Sequence, residues 1–339
     1  MVESRGDTQS TSHRVLTLTV SLLAATGLAL ACGPPQGRGL TQRLSIATGG
    51  TGGVYYPYGG GIAKIISDNV EGVEATAEVT GGTVDNLKFV ANGSADLAFA
   101  LADSLDDAYH SRGVFADFGA VPARVLAVLY SNYNHVITVT GAGIDSIGDL
   151  RDRVISTGAP GSGTEVSAFR LLEAAGVNPE TEIRKQSLGA SQSVAALKDG
   201  KIHAFFWSGG IPTGAVLDLA TTPGRTIRLI ASNTLLPALQ ERYGTSVYQM
   251  LTIPRSTYPG MDADVGVVAV ANLLVVHESM AETLAYEITR ALFDYHDELA
   301  AIHPMAAVMT PDSAVAGSPV PFHNGALRYY RERGLQERP

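Results

Sequence analysis

Cysteine is nearly missing from this sequence: Cys32 is the only one among 339 residues. A single thiol builds no disulfide framework, so nothing in the fold depends on oxidation. Basic character is missing too. The 24 Lys and Arg are outnumbered by 33 Asp and Glu, for a net charge of −9, and no basic patch breaks the balance, which argues against nucleic acid as a partner. Metal-ligand spacing is absent as well. His277-Glu278 lacks the second histidine of H-E-x-x-H, while His296 and His303, seven apart, read as solvated side chains.

Reactive constellations are equally scarce. Gly158-x4-Gly163-Thr164 has the outline of a phosphate-binding loop, but the lysine that must follow the glycine is not there, so nucleotide hydrolysis is rejected. No glycine turn spells G-x-G-x-x-G. No G-x-S-x-G elbow occurs, because Pro160 stands two before Ser162. A hydrolase built from Ser162 or Ser208 with His135 is the only enzymatic sketch available. No enzyme activity, metal or cofactor is expected.

Long apolar runs are confined to the N-terminus. Residues 1–14 are polar and end in Arg14, Val15 to Ala31 carries no charge, and Cys32-Gly-Pro-Pro comes next. This is the order of a secretory signal. Ala29-Leu30-Ala31 meets the small-x-small rule for ordinary cleavage. The cysteine directly after it also resembles a bacterial lipoprotein box, although Leu30 is bulky for its position. An uncleaved anchor is the alternative, and the run falls short of the about 20 residues that a span needs. The expectation is a signal peptide over 1–31, lipidation at Cys32 and a flexible Gly/Pro-rich tether over 32–41. The exported protein would then touch the membrane only through an N-terminal lipid anchor.

Beyond residue 41, strand and helix alternate. Strands are predicted at 43–47, 74–80 and 96–100, with helices at 56–68 and 83–91; Asn92-Gly93 ends the second helix. Residues 124–130 and 135–139 read as two strands separated by the polar Ser131-Asn-Tyr-Asn134. The alternation restarts with strands at 153–156, 182–186 and 203–207 and helices at 164–175 and 191–198. Residues 227–230 and 247–250 add strands. Val265 to Val276 is a β-branched run returning to the first half. One long helix is expected from His277, with Met280, Leu284, Ile288, Leu292, Tyr295, Leu299 and Ile302 as a core-facing stripe, and a short terminal helix closes the chain.

The chain also repeats itself. Gly82 to Gly93 lies on Gly189 to Gly200 without a gap, the offset continues to Phe99 and Phe206, and the glycine turn at Gly49 falls near that at Gly158. Two lobes of similar α/β construction are therefore expected. Their division is 42–133 plus 255–339 for one lobe and 134–254 for the other.

Two stretches carry the candidate chemistry, Gly49-Gly-Thr-Gly-Gly-Val-Tyr-Tyr56 and Gly158-Ala-Pro-Gly-Ser-Gly-Thr-Glu165. Each joins a strand to a helix start, where unpaired N–H groups and the helix dipole favour an anion. Thr51, Gly52, Gly53, Val54 and Tyr55 on one side, and Gly161, Ser162, Gly163, Thr164 and Glu165 on the other, are the expected ligand contacts. Either turn alone reads equally well as a tight connection; their pairing favours a site. Trp207, with Ser208 and Gly209, ends an apolar strand at the carboxyl edge, where α/β sheets bind ligands.

At these residues the chain resembles the TAXI family of solute-binding proteins, the extracytoplasmic subunits of TRAP transporters. The carriers are Ile46 to Pro57, Gly158 to Glu165, Ala204 to Thr213 and the ending Pro321 to Tyr330. The resemblance implies a two-lobed type II periplasmic-binding-protein-like fold with a hinge between the lobes, a small organic anion such as glutamate or 2-oxoglutarate as ligand, and delivery to TRAP-type membrane permease subunits driven by an ion gradient. It also adds Asp103 and His135 to the site. Two departures weaken the ligand assignment: Leu101-Ala102-Asp103 stands where many relatives have Gln-Ser-Asp, and Asn132 where many have glutamate. The same fold serving an ABC-type permease, an exported hydrolase and a ligand-binding sensor are the alternatives.

Overall fold

The computed structural model describes residues 42–338; the expected signal peptide, Cys32 and the tether lie outside them. The first half builds β1 (Gln42–Ala47), α1 (Tyr55–Asn69), β2 (Val73–Glu78), α2 (Thr83–Asn92), β3 (Leu97–Leu101) and α3 (Ala102–Tyr109). A long strand, β4 (Ala123–Val139), leads into β5 (Val154–Ser156), α4 (Gly163–Ala174), β6 (Arg184–Gln186), α5 (Ala190–Lys198), β7 (Ala204–Gly209) and α6 (Gly214–Ala220). Then come β8 (Ile227–Leu229), α7 (Leu236–Tyr243), β9 (Tyr248–Ile253), β10 (Val265–His277), α8 (Glu282–Asp294), α9 (His296–Ile302), α10 (Pro311–Ala314) and α11 (Asn324–Glu332).

The internal repeat is a repeat of topology. β1 pairs in parallel with both β2 and β3, and β5 pairs in parallel with both β6 and β7. Each half therefore builds β-α-β-α-β with its first strand in the middle. The matched helices α2 and α5 end alike, on Gly93 at φ +74° and Gly200 at φ +70°, a backbone that glycine adopts without a Cβ penalty.

β4 and β10 join the halves. β10 runs antiparallel to β3 over 272–276, to β4 over 269–277 and to β9 over 265–270. β4 runs from β10 into antiparallel pairing with β7 and β8. Both strands cross from one half to the other, so the sheet is continuous: β2-β1-β3-β10-β4-β7-β5-β6. Their apolar composition follows from burial on both faces.

Two expectations are corrected. Residues 131–134 do not divide β4, because Asn132 and Asn134 are buried in the sheet and stay in register with β10 and β7; cross-strand pairing outweighs their poor strand propensity. The long helix starts at Glu282, not His277, and breaks at Tyr295, whose φ of −115° and ψ of 28° separate α8 from α9. Ile288, Leu292 and Leu299 are buried as expected, but Tyr295 and Ile302 are exposed.

Candidate functional site

The two glycine turns leave the middle strand of each half, β1 and β5, and open the helices α1 and α4. Asn86 secures the first from below: its amide donates to the carbonyls of Ala47, Thr48 and Phe99 and its oxygen accepts from Thr80. Helix α1 carries no side-chain cap and no acid in its first turn, so its leading amides are free for another acceptor. Helix α4 is capped by Ser162, whose Oγ accepts from the Glu165 N–H at 3.2 Å.

The two halves meet across these turns. Backbone bonds run from the Asp85 N–H to the Gly161 carbonyl at 3.1 Å and from the Ala215 N–H to the Gly52 carbonyl at 3.4 Å. A Cβ on Gly81 would lie 2.5 Å from the Pro160 carbonyl oxygen, and one on Gly163 would lie 2.7 Å from Leu101 Cδ1. Between them lies a cavity of about 50 Å³, lined by Gly53, Val54, Tyr55, Thr83, Tyr130, Ser162, Gly163, Thr164, Trp207, Ser208 and neighbouring glycines. An outer cleft of about 330 Å³ adds Thr51, Gly52, Ser191 and Gln192. Among the described residues no charged side chain lines either space. The positive potential available to a ligand is that of the N-termini of α1, α2 and α4.

Most expected contacts come together here. Thr51, Gly52, Gly53, Val54, Tyr55, Ser162, Gly163, Thr164, Trp207, Ser208 and Gly209 all line the cavity or its cleft. Trp207 is held by a bond from Nε1 to Thr213 Oγ1 at 2.9 Å. Thr164 Oγ1 accepts from the Ser208 N–H at 3.3 Å, which leaves its own proton free to donate. Tyr55 stacks on Phe99, and burial pushes its hydroxyl above the usual tyrosine range, so it is a neutral donor.

Four expected residues are not among the lining. Gly161 supplies a carbonyl to the bridge from α2, and Glu165 turns outward to Ser187 and Lys185. Asp103 is buried in α3 and accepts from Ser167 of α4 at 3.0 Å and Tyr248 of β9 at 2.9 Å. His135 lies behind the cavity. Its Nδ1 faces the carbonyls of Tyr133 at 2.8 Å and Trp207 at 3.3 Å, so it carries the proton, and Nε2 accepts from Tyr258 at 3.1 Å. Burial lowers its pKa to about 4, which keeps the ring neutral. With both nitrogens engaged, the ring is not paired with Ser162 or Ser208.

Sequence reasoning missed Thr83, Tyr130, Asn134 and Asn272, and had Asn132 only as a departure from the family pattern. The signal was present: Tyr130, Asn132 and Asn134 alternate on one face of β4, and Asn272 is the only polar side chain between Val265 and Val276. Asn272 donates to Asn132 Oδ1 at 3.0 Å. Among the described residues no cluster of His, Cys, Asp and Glu suits a metal, and no helix is long and apolar enough to cross a membrane.

Two like β-α-β-α-β halves joined by crossing strands, with a cavity between their glycine turns, define a two-lobed α/β fold of the periplasmic-binding-protein class. Residues 46–334 match the NMT1-like family, and the chain belongs to it. Among solved structures, a protein of Bordetella bronchiseptica RB50 is similar at 20% identity over 86% of this chain and 82% of its own, with a TM-score of 0.50. The periplasmic aliphatic sulphonate binding protein SsuA of Escherichia coli matches at 12% identity, 86% and 83% coverage and a TM-score of 0.44. A binding protein component of an ABC phosphonate transporter from Pseudomonas aeruginosa matches at 10% identity, 78% and 79% coverage and a TM-score of 0.48.

Proposed function

We propose that this chain is an extracytoplasmic solute-binding protein that closes two lobes on a small organic anion and hands it to a membrane permease. The observation that carries this reading is the cavity between the two glycine turns, lined by hydroxyls and by the amide ends of helices from both lobes. An anion there is held by dipoles and hydroxyls alone. The lobes are taken as 42–133 with 255–339 and 134–254, and the hinge as the crossings in β4 and β10. Closure requires the solute to bind the closed state better than the open one.

Export rests on the signal-like order of residues 1–31, with Cys32 as the lipidated residue. For the permease, membership of the NMT1-like family does not by itself call for the ion-gradient-driven TRAP partner that the TAXI-like motifs imply. We therefore put an ATP-driven, ABC-type permease first and keep the TRAP partner as a second reading.

A thermal-shift and calorimetric screen of small carboxylates, sulfonates and phosphonates tests the function. A binder at 100 times Kd stabilises by about 2.7 kcal/mol; a silent screen removes the reading. Uptake into vesicles carrying a candidate permease of each type separates the partners: a requirement for ATP supports the first, and collapse by an ionophore supports the second.

A further inference from the structure

The floor of the cavity is built from neutral polar groups, and several of their atoms have no hydrogen-bond partner among the described residues. Tyr130 and Ser208 line the cavity, and their hydroxyl oxygens are buried without a hydrogen-bond partner among the described residues. Behind them the same holds for both amide atoms of Asn134 and for Asn272 Oδ1. Sheet register gathers these residues: Asn134 stands opposite Ser208 in the β4–β7 pair, and Asn272 opposite Tyr130 in the β4–β10 pair. Buried polar atoms are almost always satisfied, so such a concentration at one point needs an explanation. Only one further side-chain atom of this kind, Arg290 Nε, occurs among the described residues, and it lies on α8.

We infer that this floor is a second subsite, which reads a neutral hydrogen-bonding substituent on the bound acid. The inference rests on the binding-protein function proposed for the cavity. The helix N-termini of α1 and α4 take the carboxylate, and the Tyr130 and Ser208 hydroxyls, backed by Asn272 and Asn134, take a hydroxyl or carboxamide on the same molecule. A second ionised group is disfavoured there, because no opposite charge among the described residues lines the cavity to offset its desolvation. The ligand class is therefore a small monocarboxylate with one neutral polar substituent, not a dicarboxylate.

Calorimetry on the purified protein with lactate against propionate, and succinamate against succinate, tests this. Lactate is expected to bind about tenfold tighter than propionate, and succinamate tighter than succinate. Ser208→Ala and Tyr130→Phe each remove one unpaired hydroxyl, so both should keep or raise the melting temperature while reducing the lactate preference towards one. Equal binding of lactate and propionate, as a floor occupied by water alone would give, overturns the inference, as does a preference for succinate or a lactate preference unchanged in both variants. Those outcomes leave the binding-protein reading standing. If none of the four acids binds and the wider screen is silent, both readings fall.

Discussion

Gly53 and Trp207 meet edge to backbone across the cleft: a Cβ on Gly53 would lie 2.8 Å from Trp207 Cη2 and 3.1 Å from Cζ2. The indole cannot simply swing away, since Nε1 is tied to Thr213. A methyl group at position 53 therefore wedges the lobes apart. Overpacking of this kind costs about 1–3 kcal/mol. Gly53→Ala is expected to weaken ligand binding by about tenfold or more with the fold intact, measured by calorimetry and by unfolding of the free protein. Trp207→Phe in the same chain should restore part of the loss.

Arg170 and Asp107 form a buried ion pair between α4 and α3, each side chain only 9% exposed. Arg170 also donates to Tyr248 at 3.0 Å and lies 3.8 Å from the centre of the Tyr243 ring. Burial works against its charge, but Tyr248, Asp103 and Asp107 together outweigh it and hold the guanidinium above its ordinary range. Removing Arg170 leaves the buried Asp107 carboxylate with only the Arg112 Nε at 3.8 Å, at a cost of about 3 kcal/mol. Arg170→Leu should lower the unfolding free energy by that amount in urea titrations, and Arg170→Met with Asp107→Leu by much less.

His135 makes stability depend on pH. Its folded pKa is about 4 against 6.5 unfolded, chiefly through burial. The folded state thus binds the proton less well. Stability is complete above pH 6.5 and is lost as pH falls from there towards 4, by about 3 kcal/mol for this ring. Burial also lowers His303 and His323, with the same sign, and raises Asp85 and Asp107, with the opposite sign. Urea midpoints measured from pH 7 to 4.5 should fall, and His135→Asn should flatten the profile.

Ser162 caps α4 while lining the cavity. Ser162→Ala should cost about 1 kcal/mol of stability through the lost cap. If its hydroxyl also holds the solute, calorimetry on the same variant shows weaker binding at a temperature where the protein remains folded.

The repeated units are legible in the sequence because their signals are local. Apolar spacing marks α1, α2, α4 and α5, and the glycines at 93 and 200 mark where α2 and α5 end. The glycine turns are legible for the same reason. Ser131 to Asn134 mislead because a polar run within an apolar stretch reads as a break, whereas here β7 and β10 hold Asn132 and Asn134 in register. Asp103 and His135 entered through a family resemblance; their polar atoms are instead engaged with Ser167 and Tyr248, and with Tyr258.

The sequence by itself determined the alternating units, the two turns that open helices and the signal-like order of residues 1–31. Each of these depends on neighbours a few residues apart. Only the tertiary structure decided that Gly53 faces Trp207, that Asp103 and Arg170 bind the lobes together behind the site, and that Tyr130, Asn134, Ser208 and Asn272 share one floor. Those relationships come from strand register and packing between distant segments, which local spacing does not encode.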